Sequence, residues 1–255
     1  MFVDIVGFTA MAESMSSTET FNLINDYLHH VGPKIREHGG FVDKYIGDAI
    51  MAIFLRPVEA VDAAVALLGA LRDFNAGRLR DGQSTLGIGI GIHHGMMSFG
   101  ILGEQQRMQS TAIADAVNVA ARIEGLTRCY GAGILLSEAA RGQLASDGSR
   151  AYRFIDHVQL RGRREELLVW EALAPLEIPE HGARVEQLET YNHGIRAFGE
   201  GRWSDAHALF RQIVDRDPHD GTARSYLERA ACRVASGEDP LHRLAEDRRF
   251  QAFEE

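Results

Sequence analysis

A chain of 255 residues, 45% hydrophobic and 25% charged, holds enough apolar material for one domain of moderate size plus a small appendage. Its formal charge of −9 excludes a nucleic-acid binder built on a basic face. Cys129 and Cys232 are the only cysteines, so no disulfide framework is expected, and a reducing, cytoplasmic setting is.

The opening run Met1 to Ile5 reads as a strand with Asp4 near its end, and it lacks the basic start of a signal peptide. After a turn a helix opens at Ser16. Ser16 and Glu19 have capping-box spacing, and Phe21, Ile24, Leu28, Val31 and Ile35 form an apolar stripe. His38-Gly39-Gly40 stops that helix. Phe41 to Phe54 then has the form of a hairpin, two β-rich arms around the Gly47-Asp48 break. A second helix reads from Glu59 to Asn75; its apolar part, Ala60 to Leu71, is too short to span a bilayer and carries Asp62.

Leu86, Ile88, Ile90 and Ile92 alternate with Gly87, Gly89 and Gly91, which predicts a strand with one bare face. Another element must pack closely there, because glycines otherwise weaken a strand. No helix opens directly after them, so this is not a dinucleotide fingerprint. His93 and His94, adjacent on a strand, would point to opposite faces and are read as structural rather than as a metal pair. A strand from Met97 to Leu102, a helix from Asp115 to Thr127 and a strand from Gly131 to Leu136 follow. A helix beginning at Ser137 and a strand pair, Tyr152–Leu160 with Leu167–Leu173, complete the series. The order predicts an α+β fold with helices against a mixed sheet.

Pro175 and Pro179 mark a linker, giving a main domain at 1–175, a linker at 176–186 and a helical tail at 187–255. Tyr191, Gly194, Ala197, Phe198, Gly201, Trp203 and Pro218 resemble one tetratricopeptide hairpin, with a further helix from Gly221 to Ser236. One such unit buries its own apolar face poorly, so it should pack on the main domain as a brace or on a protein partner.

The chemistry concentrates at two aspartates. Each sits where an apolar, extended run meets a turn, and a carboxylate there is costly to desolvate without a compensating cation. Two such groups on neighbouring strand ends would form a hard-oxygen site suited to Mg²⁺ bound together with substrate phosphates. In the helix from Asp115, Asp115, Asn118 and Arg122 form one polar stripe among Ala116, Val117, Val119, Ala120, Ala121 and Ile123. An arginine in so apolar a surround needs an anionic partner, either Asp115 within the helix or a substrate.

Three blocks now stand together: Phe2-Val3-Asp4-Ile5-Val6-Gly7-Phe8-Thr9, His38 to Asp48, and Asp115 to Glu124. In this order and spacing they resemble the catalytic domain of the class III nucleotide cyclases, over roughly residues 1–173. The resemblance implies a ferredoxin-like palm and an adenylate cyclase that converts ATP to cyclic AMP and pyrophosphate. It implies that Asp4, Asp48 and the Ile5 carbonyl hold two Mg²⁺ or Mn²⁺ ions, and that the turn through Phe8 and Thr9 offers backbone N–H groups to the phosphates. Asn118 would position the ribose and Arg122 would stabilise the pentavalent transition state, with Asp115 beside the substrate. Lys44 and Thr111 would read adenine, and Arg161, rather than its neighbour Arg163, would contact the triphosphate. The Lys–Thr pair resembles the subgroup with bicarbonate-responsive members. Ala114 departs from the glycine usual before the Asp115 position.

In that family one site combines the aspartates of one protomer with the Asn/Arg helix of another, so the resemblance implies a head-to-tail homodimer. It also leaves room for an upstream sensor domain or a protein partner for the tail. A guanylate cyclase is the alternative enzyme, but the Glu and Cys of guanine-specific members are absent. A GGDEF-type dinucleotide cyclase would need acidic residues where Phe41 and Val42 stand. A non-catalytic regulatory dimerisation module would be expected to have lost a site residue, and none is missing.

Overall fold

A computed structural model of the chain describes residues 1–104, 107–113, 115–145, 150–159, 166–174 and 180–236; at 99, 101–104, 107–113, 180 and 236 it describes the backbone alone. The first strand, β1 (Phe2–Ile5), leads through the short helix α1 (Phe8–Ala12) to α2 (Ser17–Glu37). α2 starts where the capping-box spacing predicts: the Glu19 N–H donates to the Ser16 hydroxyl, and the Glu19 carboxylate accepts from the Ser16 N–H. The hairpin arms are β2 (Phe41–Ile46) and β3 (Ala49–Ile53), followed by α3 (Pro57–Arg80), which is longer at both ends than its apolar stripe indicates.

β4 (Ile88–Ile92) carries the alternating glycines, and β5 (Ser98–Glu104) pairs with β6 (Arg107–Ile113) as a separate two-stranded ribbon. β6 escapes the sequence reading because Arg107-Met108-Gln109-Ser110 offers no apolar alternation. Helix α4 (Asp115–Tyr130), strand β7 (Ile134–Ser137) and the single turn α5 (Glu138–Arg141) come next, then β8 (Tyr152–Gln159) and β9 (Glu166–Ala172). Four helices end the described chain: α6 (Glu180–Glu186), α7 (Leu188–Gly199), α8 (Trp203–Arg216) and α9 (Gly221–Ser236). Part of the stretch read as a linker is therefore helical.

The main sheet has the order β2-β3-β1-β4-β7-β9-β8, antiparallel except for the β4–β7 pair. Period-2 alternation sorts its side chains between two faces. Val3, Ile5, Ile90, Ile92, Ile134 and Leu136 meet Tyr27, Val31 and Ile35 of α2 and Ala64 and Leu67 of α3 in one core. On the other face Leu135, Ile155, Val158 and Val169 meet Val119, Ile123 and Leu126 of α4.

The terminal helices have their own core around Tyr191, Phe210 and Tyr226, with Phe210 stacked on Tyr226 at 5.1 Å. They dock on the outer edge of the sheet. The Tyr191 and Tyr226 hydroxyls donate to the Phe154 and Ile155 carbonyls of edge strand β8, beside the bulge between Phe154 and Asp156. Edge carbonyls that would otherwise invite foreign strands are thus occupied. Beneath them Arg153, 1% exposed, bonds Glu171 of β9 and Asp220 ahead of α9, and Arg184 of α6 bonds Glu171 and Asp217. α9 also meets the end of α4, where the Thr222 hydroxyl donates to the Tyr130 carbonyl.

Candidate active site

The sheet brings Asp4 and Asp48 together. Asp4 shares the face of β1 that points away from α2 and α3, while Asp48 follows Gly47, whose φ of +63° closes the β2–β3 turn. The Ile5 N–H donates to Asp48 Oδ2 at 3.2 Å. Burial, then the hydrogen-bonding approach of Asp4 and its negative charge, push the Asp48 carboxyl up to about 6. A divalent cation held between the two would remove that repulsion. Among the described residues no cluster of three or more His, Cys, Asp or Glu side chains is placed to hold a metal. Two carboxylates alone would leave the other positions around a cation to backbone and substrate oxygens, a donor set that suits phosphate-bound Mg²⁺.

Gly7, at φ +71°, turns the chain directly after β1 so that Phe8 and Thr9 open α1 next to the acid pair. Val6 is pinned by its N–H to the Gly87 carbonyl. From the opposite side comes Tyr27 of α2. Burial and the charges of Asp48 and Asp4 raise its phenol far above the usual range, and its hydroxyl has no hydrogen-bond partner among the described residues.

The bare glycine face of β4 receives α4. A Cβ on Gly91 would stand 2.3 Å from the Ala120 carbonyl and the Glu124 nitrogen, and one on Gly89 would stand 2.2 Å from Thr127 Oγ1. Only glycine permits so close an approach of helix to strand. It carries Glu124, Thr127 and Arg128 to the acid pair, where the Arg128 guanidinium donates to Asp4 Oδ2. Glu124 is 6% exposed. Burial and the charge of Asp4 lift its carboxyl to about 7, against the opposing pull of Arg128. The sequence reading missed Tyr27, Glu124 and Arg128. The glycine alternation demanded a close neighbour, but did not say which helix would supply it.

Asn118 and Arg122 are placed differently. At 100° per residue they lie some 120–160° around α4 from Ala120 and Glu124, the positions that touch β4. Asn118 and Asp115 are accordingly exposed, and Arg122 is half-exposed. The sheet takes one face of α4, and the polar stripe occupies the other. Within one chain these residues point away from Asp4 and Asp48.

Lys44 lies half-buried on β2, its Nζ 3.3 Å from the carboxylate of Asp43. A bulge at Asp43, between Val42 and Lys44, sets this pair. β6, which carries Thr111, contacts β2, the strand of Lys44, and the Thr111 side chain lies outside the described part. Arg161 and Arg163 lie outside the described residues. His93 and His94 follow the end of β4, and His93 Nδ1 bonds the Ser137 hydroxyl at 2.7 Å, in keeping with a structural role.

Residues 1–171 match the family described as the adenylate and guanylate cyclase catalytic domain. An adenylate cyclase of Anabaena cylindrica is 44% identical over 181 residues, covering 68% of this chain and 36% of the relative. The terminal-differentiation-specific adenylate cyclase of Dictyostelium discoideum is 30% identical over 235 residues, 89% of this chain and 11% of the relative. The chain thus spans about a third or less of these curated relatives. Among solved structures, the adenylyl cyclase CyaB of P. aeruginosa is similar with TM-score 0.61 at 25% identity, over 67% of this chain and 90% of that one. A guanylyl cyclase crystal structure is similar with TM-score 0.60 at 26% identity, over 68% and 89%.

Proposed function

Since the chain belongs to the family of adenylate and guanylate cyclase catalytic domains, we propose that it cyclises ATP to 3′,5′-cyclic AMP and pyrophosphate at sites shared between two copies. The observation that carries this reading is the split of the expected residues: Asp4 and Asp48 meet on the sheet, while Asn118 and Arg122 project from the far side of α4. One chain therefore presents two half-sites that face apart. A two-fold head-to-tail pair brings each half-site against its complement and makes two equivalent sites. Tyr45, Ile46, Met96 and Met97, large apolar side chains left exposed ahead of Asp48 and between β4 and β5, are consistent with such a surface.

Asp4, Asp48 and the Ile5 carbonyl are the groups that fit a divalent cation. Two Mg²⁺ or Mn²⁺ ions bound there would lower the pKa of the ribose 3′-hydroxyl and neutralise the triphosphate. The chain's own groups do the rest. The backbone at Phe8 and Thr9 faces the phosphates after the Gly7 turn, Asn118 of the partner copy orients the ribose, and Arg122 of that copy meets the charge that develops on the α-phosphoryl oxygens. Arg161 contacts the triphosphate, and Asp115 stands at the helix entry beside the substrate. Lys44 and Thr111, on the neighbouring strands β2 and β6, read the adenine edge, the Lys44 ammonium donating to N1 and the Thr111 hydroxyl accepting from the 6-amino group. Similarity to solved cyclases of both base preferences does not choose between ATP and GTP, so the base rests on this pair.

The test is incubation with ATP or GTP and Mg²⁺ or Mn²⁺, with chromatography of the products. Cyclic AMP from ATP is the expected result; cyclic GMP as the main product, or no cyclic nucleotide from a folded, metal-loaded protein, would refute the assignment.

A further inference from the structure

We propose that Arg128 is a resident counter-ion of the acid pair, which moves its hydrogen bond from Asp4 to Glu124 when a divalent cation binds. The inference rests on Asp4 being a metal ligand, as read above. Arg128 Nη2 lies on Asp4 Oδ2, and the same nitrogen is 3.9 Å from Glu124 Oε1, one turn back on α4. Glu124 is buried, yet its Oε1 accepts no hydrogen bond among the described residues. A buried acceptor left unmade is expensive, and here it faces an arginine already committed elsewhere.

Glu124 is also where it is at a cost to the sheet. Gly89 and Gly91 must both lack side chains for it to fit, with Glu124 Oε1 only 2.6 Å from where a Cβ on Gly89 would be. The Arg128 side chain is 40% exposed, so it is free to rotate without repacking the core. Metal-free, the guanidinium balances Asp4. A cation on Asp4 repels it, and Glu124, at the i−4 position, is the carboxylate within reach. The exchange leaves Arg128 paired with a carboxylate in both the empty and the loaded site.

The experiment is direct Mn²⁺ binding to the full chain without nucleotide, read from the electron paramagnetic resonance signal of free Mn²⁺ at pH 8. Arg128→Gln, which removes the competing cation, should tighten Mn²⁺ binding about three- to fivefold, the worth of a partly exposed ion pair. Arg128→Lys keeps a competing cation and should stay near wild type. Glu124→Gln removes the second carboxylate charge and should weaken binding, and that penalty should shrink when Arg128→Gln is also present. Unchanged or weaker Mn²⁺ binding in Arg128→Gln overturns the exchange, as does a Glu124→Gln penalty equally large in both backgrounds. No Mn²⁺ binding by wild type would overturn the metal reading along with it, so the two failures are distinguishable.

Discussion

Mixing two dead variants tests the shared site most sharply. Asp48→Asn removes half the negative charge available to the metals, and Arg122→Ala removes the guanidinium from the outward face of α4. Within a chain the two positions cannot substitute for each other. Arg122 stands six residues before Arg128, which touches Asp4, so it is about 9 Å away along the helix axis and about a third of a turn around it. Each homodimer should therefore be inactive in both of its sites. In a heterodimer one site inherits both lesions, and the other has an intact acid pair from one chain and an intact Arg122 from its partner. Random reassortment makes about half the dimers mixed, each with one working site of two, so recovery approaches about a quarter of wild type. The assay is cyclic AMP formation after the pure variants are mixed and incubated, with subunit exchange followed by a fluorescent label. No recovery in a mixture that has exchanged would mean that each site is built within one chain, and the two-fold assembly would be refuted.

Lys44→Glu with Thr111→Cys should move preference from ATP towards GTP by inverting the donors and acceptors offered to the base, and a double variant that still rejects GTP as strongly would place base selection elsewhere. The acid cluster should make metal-free stability fall as pH rises. Asp48 and Glu124 titrate at about 6 and about 7 in the folded chain, above their ordinary 3.8 and 4.5, so the native state holds extra protons between those values and loses that contribution as pH climbs. Because Mn²⁺ takes the place of the Asp48 proton, it should raise Tm more at pH 8 than at pH 5, and equal shifts would contradict the placement of the ion. Asp220→Asn breaks the pair with Arg153 at the foot of α9, where both side chains are at most 1% exposed, and should lower unfolding free energy by about 3–5 kcal/mol in urea titrations. A loss within error would mean that the terminal helices do not dock through this contact.

Much of this was legible locally. The Ser16–Glu19 box, the Gly47 turn and the alternation of Ile88 to Ile92 are rules of neighbouring residues, satisfied by neighbours, and the structure keeps each of them. The same holds for Asp4 and Asp48, since a carboxylate at the end of an apolar strand is conspicuous wherever the strand goes. β6 was hidden for the converse reason: its pairing with β5 is made by backbone, and its side chains carry no periodic sign. Docking of the terminal helices on the main domain was one of two expectations, packing on a partner the other, but the charges that hold it, Arg153, Glu171, Arg184 and Asp220, lie far apart in the chain and look like ordinary surface residues until the sheet edge gathers them.

The chain by itself determined which chemical groups are present and the period at which each segment exposes them. Only the tertiary structure decided what those groups face. The glycines of β4 could state that something must approach. Which helix comes, and which of its sides, depends on how α4 crosses the sheet, and that crossing turns Glu124 and Arg128 towards Asp4 and sends Asn118 and Arg122 outwards. A helix repeats every 3.6 residues, so residues six apart can belong to opposite sites, and a pattern in one dimension does not record which face meets the sheet.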